Sequence, residues 1–283
     1  MAAVSGMRER IRPGFSRPRL PRKAGFLVGS GFIVALLAIS YFVPTPYPPN
    51  ATDANQTFVP PGAAHWLGTD NIGRDVLSRV MAAARTDLPL AILGTAAALA
   101  IGIPLGLVAS TRSRAAGLIM RCLDMLQAFP LLILAIVLVA LAGSNIYNII
   151  PAIALIGGPT CIRLVRSAAL SIRESRFAEA SYAMGSTTSE VMRRHILPNV
   201  APNIVAQASL IVAGGLIVVS ALSFLGIGIK PPTASWGAML SDGRDAALIG
   251  YWWVAVIPGV LIFLAVLSFN LIADGIEGAL HGD

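Results

Sequence analysis

Residues Leu88–Ser110 read LPLAILGTAAALAIGIPLGLVAS, an apolar stretch that contains no charged side chain. A helix needs roughly 20 such residues to cross the hydrocarbon core of a bilayer. Of the 283 residues in the chain, 55% are hydrophobic and 12% are charged, whereas a soluble domain carries about 25% charged residues. The sequence therefore predicts an all-α integral membrane protein whose apolar residues are divided into spans by polar links.

Apolar segments on either side of this stretch predict about six transmembrane helices in total. The other five are 24–43, 115–142, 149–165, 201–225 and 251–272. Three small residues of the second span, Gly94, Gly102 and Gly106, predict close contact with a neighbouring helix. Pro130 lies inside the third predicted span. Helical periodicity between 71 and 87 predicts a surface helix that leads into the second span.

The basic residues determine the predicted orientation. If the N-terminus is cytosolic, most of the 21 lysines and arginines fall in cytosolic links, as the positive-inside rule requires. This placement indicates membrane topology rather than nucleic-acid binding. The apolar run at 24–43 is longer than that of a cleaved signal peptide, so we predict that it is retained. We expect a multi-pass protein of the cell (plasma or inner) membrane with both termini cytosolic.

The predicted organisation has five parts. They are a cytosolic basic tail (1–23), the first transmembrane helix (24–43), an extracytoplasmic segment (44–87), a membrane core (88–275) and a cytosolic C-terminus (276–283). The extracytoplasmic segment and the link 226–250 both face outward in this topology. Three tryptophans near the outer links are predicted to be interfacial anchors, as is common at membrane surfaces; they are Trp236, Trp252 and Trp253.

The longest predicted cytosolic link, 166–199, has the pattern of a helical hairpin broken at Gly185. Glycine adopts the left-handed conformation of a helix C-cap at low cost. Thr187 and Glu190 have capping-box spacing for a second helix, which Pro198 is expected to end. Such a hairpin is either a rigid docking element that a partner protein binds or a surface helix that contacts only lipid headgroups. Amphipathic spacing alone leaves both alternatives open.

The sequence of this hairpin resembles a known motif. EASYAMG (179–185) is followed, after nine residues, by HILPN (195–199). This arrangement resembles the EAA loop of binding-protein-dependent ABC importer permeases. Ser181 stands where that family usually has a second alanine.

Other segments resemble the dipeptide and oligopeptide permease C-type subunits. They are HWLGTDNIGRDVLSR (65–79), DMLQAFP (124–130), ALSFLG (221–226), PPTASWGAML (231–240) and FNLIADG (269–275). AARTD (83–87) departs from the Gly-Ala-Arg-x-Ser usual in the family. The matching segments occur in order over most of 65–280.

This resemblance implies a type I ABC importer permease fold, with 88–275 as its core and 166–199 as a cytosolic coupling hairpin. It implies half of a pore that moves dipeptides or oligopeptides into the cytosol, with nickel, haem or another small solute as the alternative. The implied partners are membrane lipid, a homologous second permease subunit, two ABC ATPase subunits that hold ATP and magnesium, and an extracytoplasmic binding protein. The extracytoplasmic binding protein is expected to contact the segments 44–87 and 226–250.

The resemblance also implies which residues contact the ATPase subunit. They are Glu179, Ala180, Ser181, Met184, Gly185, Arg194, His195, Leu197 and Pro198. Glu179 would pair with a basic group of the partner, and its alternative is a solvated charge on a helix. Gly185 would set the angle between the two helices of the hairpin.

The chain itself lacks a phosphate-binding loop. That loop ends in Gly-Lys-Ser/Thr, whereas the two lysines, Lys23 and Lys230, follow Arg22 and Ile229. We therefore expect a pore-forming subunit without enzymatic activity, cofactor or resident metal.

Two other classes of membrane protein fit less well. An intramembrane hydrolase needs a nucleophile with a base, or paired carboxylates, within the bilayer. Here His65, His195 and His281 lie in links or at the terminus, and Asp124 and Asp274 lie near cytosolic ends of different predicted spans. An ion-coupled transporter would carry ionisable groups near the midplane or paired broken helices, and the sequence shows neither pattern.

Overall fold

The computed structural model describes residues 22–111, 113–143, 145–173 and 184–280, and these residues are predominantly helical. The helices are α1 (Arg22–Phe42), α2 (Val76–Ala109), α3 (Arg114–Gln127), α4 (Leu131–Ala142), α5 (Ile149–Arg173), α6 (Thr188–Val191), α7 (Leu197–Phe224), α8 (Trp236–Leu248) and α9 (Trp253–Leu280). A π-helical turn, Met192–Ile196, joins α6 to α7, and short 3-10 turns lie at Ala54–Gln56 and Ile146–Asn148.

Five helical segments in the described part of the chain are long and apolar enough to cross a membrane, or six if α3 and α4 form one bent span. The prediction of about six transmembrane helices is therefore confirmed. Helix α2 has 34 residues, which makes it about 51 Å long at 1.5 Å per residue. It exceeds the hydrocarbon thickness of about 30 Å. The separate surface helix predicted at 71–87 is wrong, because α2 begins at Val76 and continues without a break.

The third predicted span is also not one straight helix. Helices α3 and α4 meet at an angle of 87°, and Pro130 is the N-cap of α4. Proline lacks an N–H, and its ring keeps the preceding residue, Phe129, out of the helical conformation. The proline therefore ends one helix and starts another.

The two best-packed helices, α2 and α5, meet along a row of glycines. A Cβ atom at Gly94 would lie 2.6 Å from the Cβ of Ile153, one at Gly102 would lie 2.7 Å from Cys161 Sγ, and one at Gly106 would lie 2.6 Å from the Cβ of Val165. No larger residue fits at these distances, so the predicted close helix contact at the three glycines is confirmed.

The remaining long helices complete the bundle. Helix α1 packs against α9, and α9 packs against α7 and α8. The chain segments 44–75 and 226–252 gather at one end of the bundle, and we refer to them together as the polar cap. The residues 184–199, here named the hairpin segment, lie at the opposite end, where α2 and α5 finish and α7 begins.

Candidate functional site at the two ends of the bundle

The hairpin segment begins with a turn and a short helix. Gly185 has φ +88°, and a Cβ atom there would meet no other atom within 4 Å. Thr187 Oγ1 accepts a hydrogen bond of 3.3 Å from the N–H of Glu190, which satisfies one free donor of the first turn of α6. The predicted left-handed glycine and the predicted cap by Thr187 are both confirmed.

Pro198 does not end this second helix, contrary to the prediction. The chain widens into the π-helical turn, in which the N–H of Leu197 donates to the carbonyl of Met192, and it then continues as α7. Proline has no N–H to donate to the preceding turn, and its ring needs more room than an α-helical turn provides. The wider π-helical turn accommodates both. The hairpin segment is thus continuous with a membrane span rather than separated from it.

The hairpin segment is anchored to α5 by apolar packing. Val191, Ile196 and Val200 are buried in one cluster with Val165 and Ala169 of α5. This contact joins α6, the π-helical turn and α7 to a second span.

The structure locates some of the predicted coupling residues and not others. Glu179, Ala180 and Ser181 lie outside the described residues. Six are described: Met184 and Gly185 at the exposed turn, Arg194 on the exposed surface, His195 and Leu197 partly buried, and Pro198 exposed. Met184 is 80% exposed. Arg194 Nη1 lies 3.3 Å from Glu190 Oε1, and Leu197 packs against the anchoring cluster.

Three arginines of α5 hold neighbouring helix ends in place, and sequence reasoning missed them. Arg166 Nε donates to the carbonyl of Ala109 at 3.0 Å, and Arg173 donates to the carbonyl of Ser110. Arg163 Nη2 lies 2.8 Å from Asp124 Oδ1, which ties the bent α3–α4 pair to α5. Cations at the C-terminal carbonyls of α2 also complement its helix dipole. The spacing of Arg163, Arg166 and Arg173 along one helix was the pattern in the sequence that could have indicated this role.

The polar cap contains a buried ion-pair network that joins both of its segments. Arg74 Nε lies 2.5 Å from Asp70 Oδ2, and Arg74 Nη2 lies 2.9 Å from Asp242 Oδ2. Asp70 is 3% exposed and Arg74 is 7% exposed. Asp70 and Arg74 are thus enclosed between the two segments of the cap.

A second polar group in the cap starts α2. Asp75 Oδ2 accepts from the N–H of Ser78 at 2.8 Å, and Asp75 Oδ1 lies 2.9 Å from His65 Nδ1. His65 Nε2 lies 2.5 Å from Gln56 Oε1. Asp75 is therefore the N-cap of α2 and at the same time fixes the preceding loop.

Asp87, in the stretch that departs from the family pattern, connects α2 to α8. Its Oδ2 accepts from the N–H of Trp236 at 2.8 Å and from Ser235 Oγ at 3.2 Å. The carboxyl group thereby satisfies a free donor at the start of α8.

Two of the three tryptophans are not interfacial anchors, contrary to the prediction. Trp236 is completely buried, and its Nε1 donates to the carbonyl of Val80 at 3.1 Å. Trp253 is also buried and donates to the carbonyl of Thr69 at 3.1 Å. Trp252 is 54% exposed. The buried pair instead ties the polar cap to α2, α8 and α9.

These features define a multi-pass membrane subunit with a self-contained cap at one end and an exposed, anchored hairpin at the other. The chain belongs to the family described as binding-protein-dependent transport system inner membrane component, whose model matches residues 98–281. It is therefore a permease of the ABC importer class, and the family resemblance noted in the sequence is confirmed.

Curated relatives are similar over most of the chain. A dipeptide transport system permease protein of Alkalihalophilus pseudofirmus is 37% identical over 98% of this chain and 90% of its own length. A di/tripeptide transport system permease protein of Pseudomonas aeruginosa is 37% identical over 90% of this chain and 87% of its own length. A glutathione transport system permease protein of Pectobacterium atrosepticum is 38% identical over 88% of this chain and 84% of its own length.

Two solved structures share the fold. Both are inward-facing crystal forms of the MetNI methionine ABC transporter, and each is 19% identical to this chain. One matches with a TM-score of 0.55 over 70% of this chain and 96% of the solved chain. The other matches with a TM-score of 0.53 over 68% of this chain and 93% of the solved chain. The predicted type I importer permease fold is confirmed.

Proposed function

We propose that this chain forms half of a pore through which an ATP-driven importer moves dipeptides or oligopeptides into the cytosol. The observation that supports a peptide cargo is the similarity, along nearly the whole chain, to permeases named for dipeptides, di/tripeptides and glutathione. Transport of nickel, haem or another small solute by the same architecture is the alternative that an uptake experiment must separate.

The proposed complex contains a homologous second permease, two ATPase subunits and an extracytoplasmic binding protein. ATP and magnesium would be held by the ATPase subunits, and this chain would supply neither catalytic groups nor a cofactor site. The family description, which names binding-protein-dependent transport and an inner membrane component, supports the binding protein as a partner and a membrane role for this chain.

The proposed orientation has both termini and the hairpin segment in the cytosol and the polar cap outside. The arginines near the hairpin end support it, because cytosolic links are rich in Lys and Arg; they include Arg114, Arg121, Arg166, Arg173, Arg193 and Arg194. The division into basic tail, first span, outer segment, core and C-terminus, with the bounds given above, follows from the same orientation.

In the proposed mechanism, the hairpin segment docks in the ATPase subunit and moves as a rigid body when the ATPase dimer closes. Its exposed turn at Met184 and Gly185 would enter the partner, and its buried face would transmit the motion. Because Val191 and Ile196 pack against α5, displacement of the turn would shift α5 and α7 together. The polar cap would receive the binding protein on the other side.

The test is reconstitution of the full complex in liposomes, with labelled dipeptide uptake and peptide-stimulated ATP hydrolysis as the two readouts. Gly185→Val is expected to abolish the coupling of the two, because a β-branched residue is strained at positive φ. Gly185→Asn should retain most activity, since Asn tolerates the left-handed conformation.

Gly143→Val is the matched control. Gly143 has φ +89° and also no atom within 4 Å of a Cβ, but it lies at the other end of the bundle. Co-purification of the subunits establishes assembly of each variant. Normal coupling in Gly185→Val would contradict the proposed docking site, and uptake of nickel or haem without uptake of peptide would contradict the proposed cargo.

A further inference from the structure

Helices α5 and α7 each carry an exposed polar stripe, although both belong to membrane spans. Spacing of three or four residues puts side chains on one face of a helix. On α5 the exposed polar residues are Thr160, Arg163, Ser167 and Ser171; on α7, Asn199 and Asn203 are exposed and Gln207 is half-buried. Ser167, Ser171 and Asn199 lie at the hairpin end of the bundle, near Arg166 and Arg173. Thr160 and Gln207 lie deeper in the spans, where polar groups rarely face lipid, so this part of the face requires water or protein.

The two stripes meet at a cavity between the helices. It has a volume of about 160 Å³ and is lined by Thr160 and Gln207 together with Gly157, Gly214 and Gly215, among others. A Cβ atom at Gly214 would meet nothing within 4 Å. The cavity therefore combines open space with two neutral hydrogen-bonding side chains and an otherwise apolar wall, formed by Ile153, Ile156, Leu210, Ile211 and Val218.

The opposite face of α5 is chemically different. A cavity of about 490 Å³ on that side is lined only by apolar residues, including Ile101, Leu105, Leu126 and Leu155. Such a lining suits lipid chains or apolar packing and offers no polar group to water. The contrast assigns the two sides of α5 to different environments.

We propose that the face formed by α5 and α7 is this chain's wall of the translocation path, and that Thr160 and Gln207 hydrogen-bond to the backbone of a passing peptide. This inference rests on the proposed function. A hydroxyl and a primary amide each donate and accept hydrogen bonds, and each peptide group offers one donor and one acceptor. Neutral groups of this kind recognise peptides regardless of their side chains.

Thiol accessibility tests the proposed wall directly. In a background with Cys122→Ser and Cys161→Ala, the variants Thr160→Cys and Gln207→Cys are compared with Ile101→Cys. Ile101 lies at about the same depth in the bundle as Thr160, because the neighbouring Gly102 packs against residue 161. Ile101 is also 55% exposed, which makes it a suitable control. The complex is placed in lipid nanodiscs, which leave both faces of the bilayer open to a charged thiosulfonate reagent.

Thiols react as thiolates, and apolar surroundings suppress thiolate formation. We therefore expect Thr160→Cys and Gln207→Cys to be modified about tenfold faster, or more, than Ile101→Cys. Equally slow modification of all three would overturn the inference, because this face would then contact lipid or a tightly packed second permease.

A bulky residue in the path gives an independent readout. Gly214→Phe is expected to reduce dipeptide uptake by about tenfold in proteoliposomes while ATP hydrolysis persists, since a Cβ at Gly214 meets nothing within 4 Å and this residue lines the cavity. Co-purification of the subunits establishes that the variant still assembles. Gly31→Phe is the control: a Cβ at Gly31 of α1 also meets nothing within 4 Å. Normal uptake in Gly214→Phe would overturn the inference.

The two proposals fail in different ways. If the wild-type complex moves no peptide, the proposed function is wrong whatever the thiols do. If the wild type moves peptide but the thiols at 160 and 207 stay unreactive and Gly214→Phe transports normally, only the assignment of the path is wrong.

Discussion

The polar cap and the hairpin segment differ in how they satisfy their charged and polar groups. In the polar cap, Arg74 is buried between Asp70 and Asp242 of the same chain. In the hairpin segment, Arg194 and Glu190 remain exposed, and the turn at Met184 projects from the bundle. The cap is stabilised by its own contacts, whereas the hairpin segment is stabilised by an apolar anchor and its polar surface stays exposed.

The largest expected effect is the loss of the buried ion pairs in the polar cap. Arg74→Met removes the cation that lies 2.5 Å from the buried Asp70 and leaves that carboxylate with Arg79 at 3.9 Å. Breaking a buried pair costs about 3–5 kcal/mol of unfolding free energy, and the remaining arginine places the expected loss at the lower end of this range. The measurement is the thermal unfolding midpoint in detergent, followed by tryptophan fluorescence.

Arg244→Met is the matched control for this experiment. Arg244 and Asp245 form a pair in the same cap, but their side chains are 69% and 81% exposed, and such pairs contribute about 0–1 kcal/mol. Equal midpoints for the two variants would show that the cap does not depend on its buried network.

The apolar anchor should produce the next largest effect, at the opposite end of the bundle. Ile196 is fully buried, and Ile196→Ala leaves a cavity that costs about 2–5 kcal/mol. Besides a lower unfolding midpoint, we expect weaker coupling of ATP hydrolysis to uptake, because the hairpin segment would be less rigidly joined to α5. Met184→Ala, at an exposed site, should leave the midpoint unchanged; a similar shift in both variants would contradict the anchoring role.

A smaller loss is expected where the polar cap meets α2. Asp87→Ala removes the acceptor of the Trp236 N–H and leaves a buried donor unsatisfied, which costs about 1–3 kcal/mol. Asp87→Asn retains an amide oxygen at this position and should recover most of the loss. If the Asp87→Asn and Asp87→Ala variants are equally destabilised in thermal unfolding, the hydrogen bond to α8 is not what stabilises this junction.

Sequence patterns predicted the local features of both regions better than the long-range ones. The spans, the glycine contacts of α2 and the left-handed Gly185 depend on neighbouring residues in sequence, and they were predicted. The partnership of Arg74 with Asp242 joins residues that are 168 positions apart, and no local pattern indicates it. The prediction for Trp236 was wrong for the same reason, because an interfacial tryptophan and a buried one can have the same apolar neighbours in sequence.

The prolines show a second limit of local reasoning. Pro130 was expected inside a span and instead produces an 87° bend, whereas Pro198 was expected to end a helix and instead follows a π-helical turn. Proline removes a hydrogen bond in both cases, but packing decides how the chain responds. Val191, directly before the π-helical turn, and Ile196, its last residue, are both buried in one cluster, so they hold the chain in a helical course. The α3–α4 junction lies at the exposed Phe129.

The smallest expected change in stability separates the two regions most clearly. Arg194 and Glu190 have side chains that are 75% and 47% exposed, so Arg194→Met should shift the unfolding free energy by about 0.5 kcal/mol or less. If Arg194 contacts the ATPase subunit, the same variant should nevertheless lower peptide-stimulated ATP hydrolysis and reduce co-purification of that subunit. Arg193→Met, on the adjacent exposed residue, is the comparison that tests whether position or charge matters. A residue that serves only the fold would change stability and coupling together. Unchanged stability with reduced coupling would therefore assign Arg194 to the surface that contacts the ATPase subunit. Unchanged coupling would show that Arg194 does not belong to that surface.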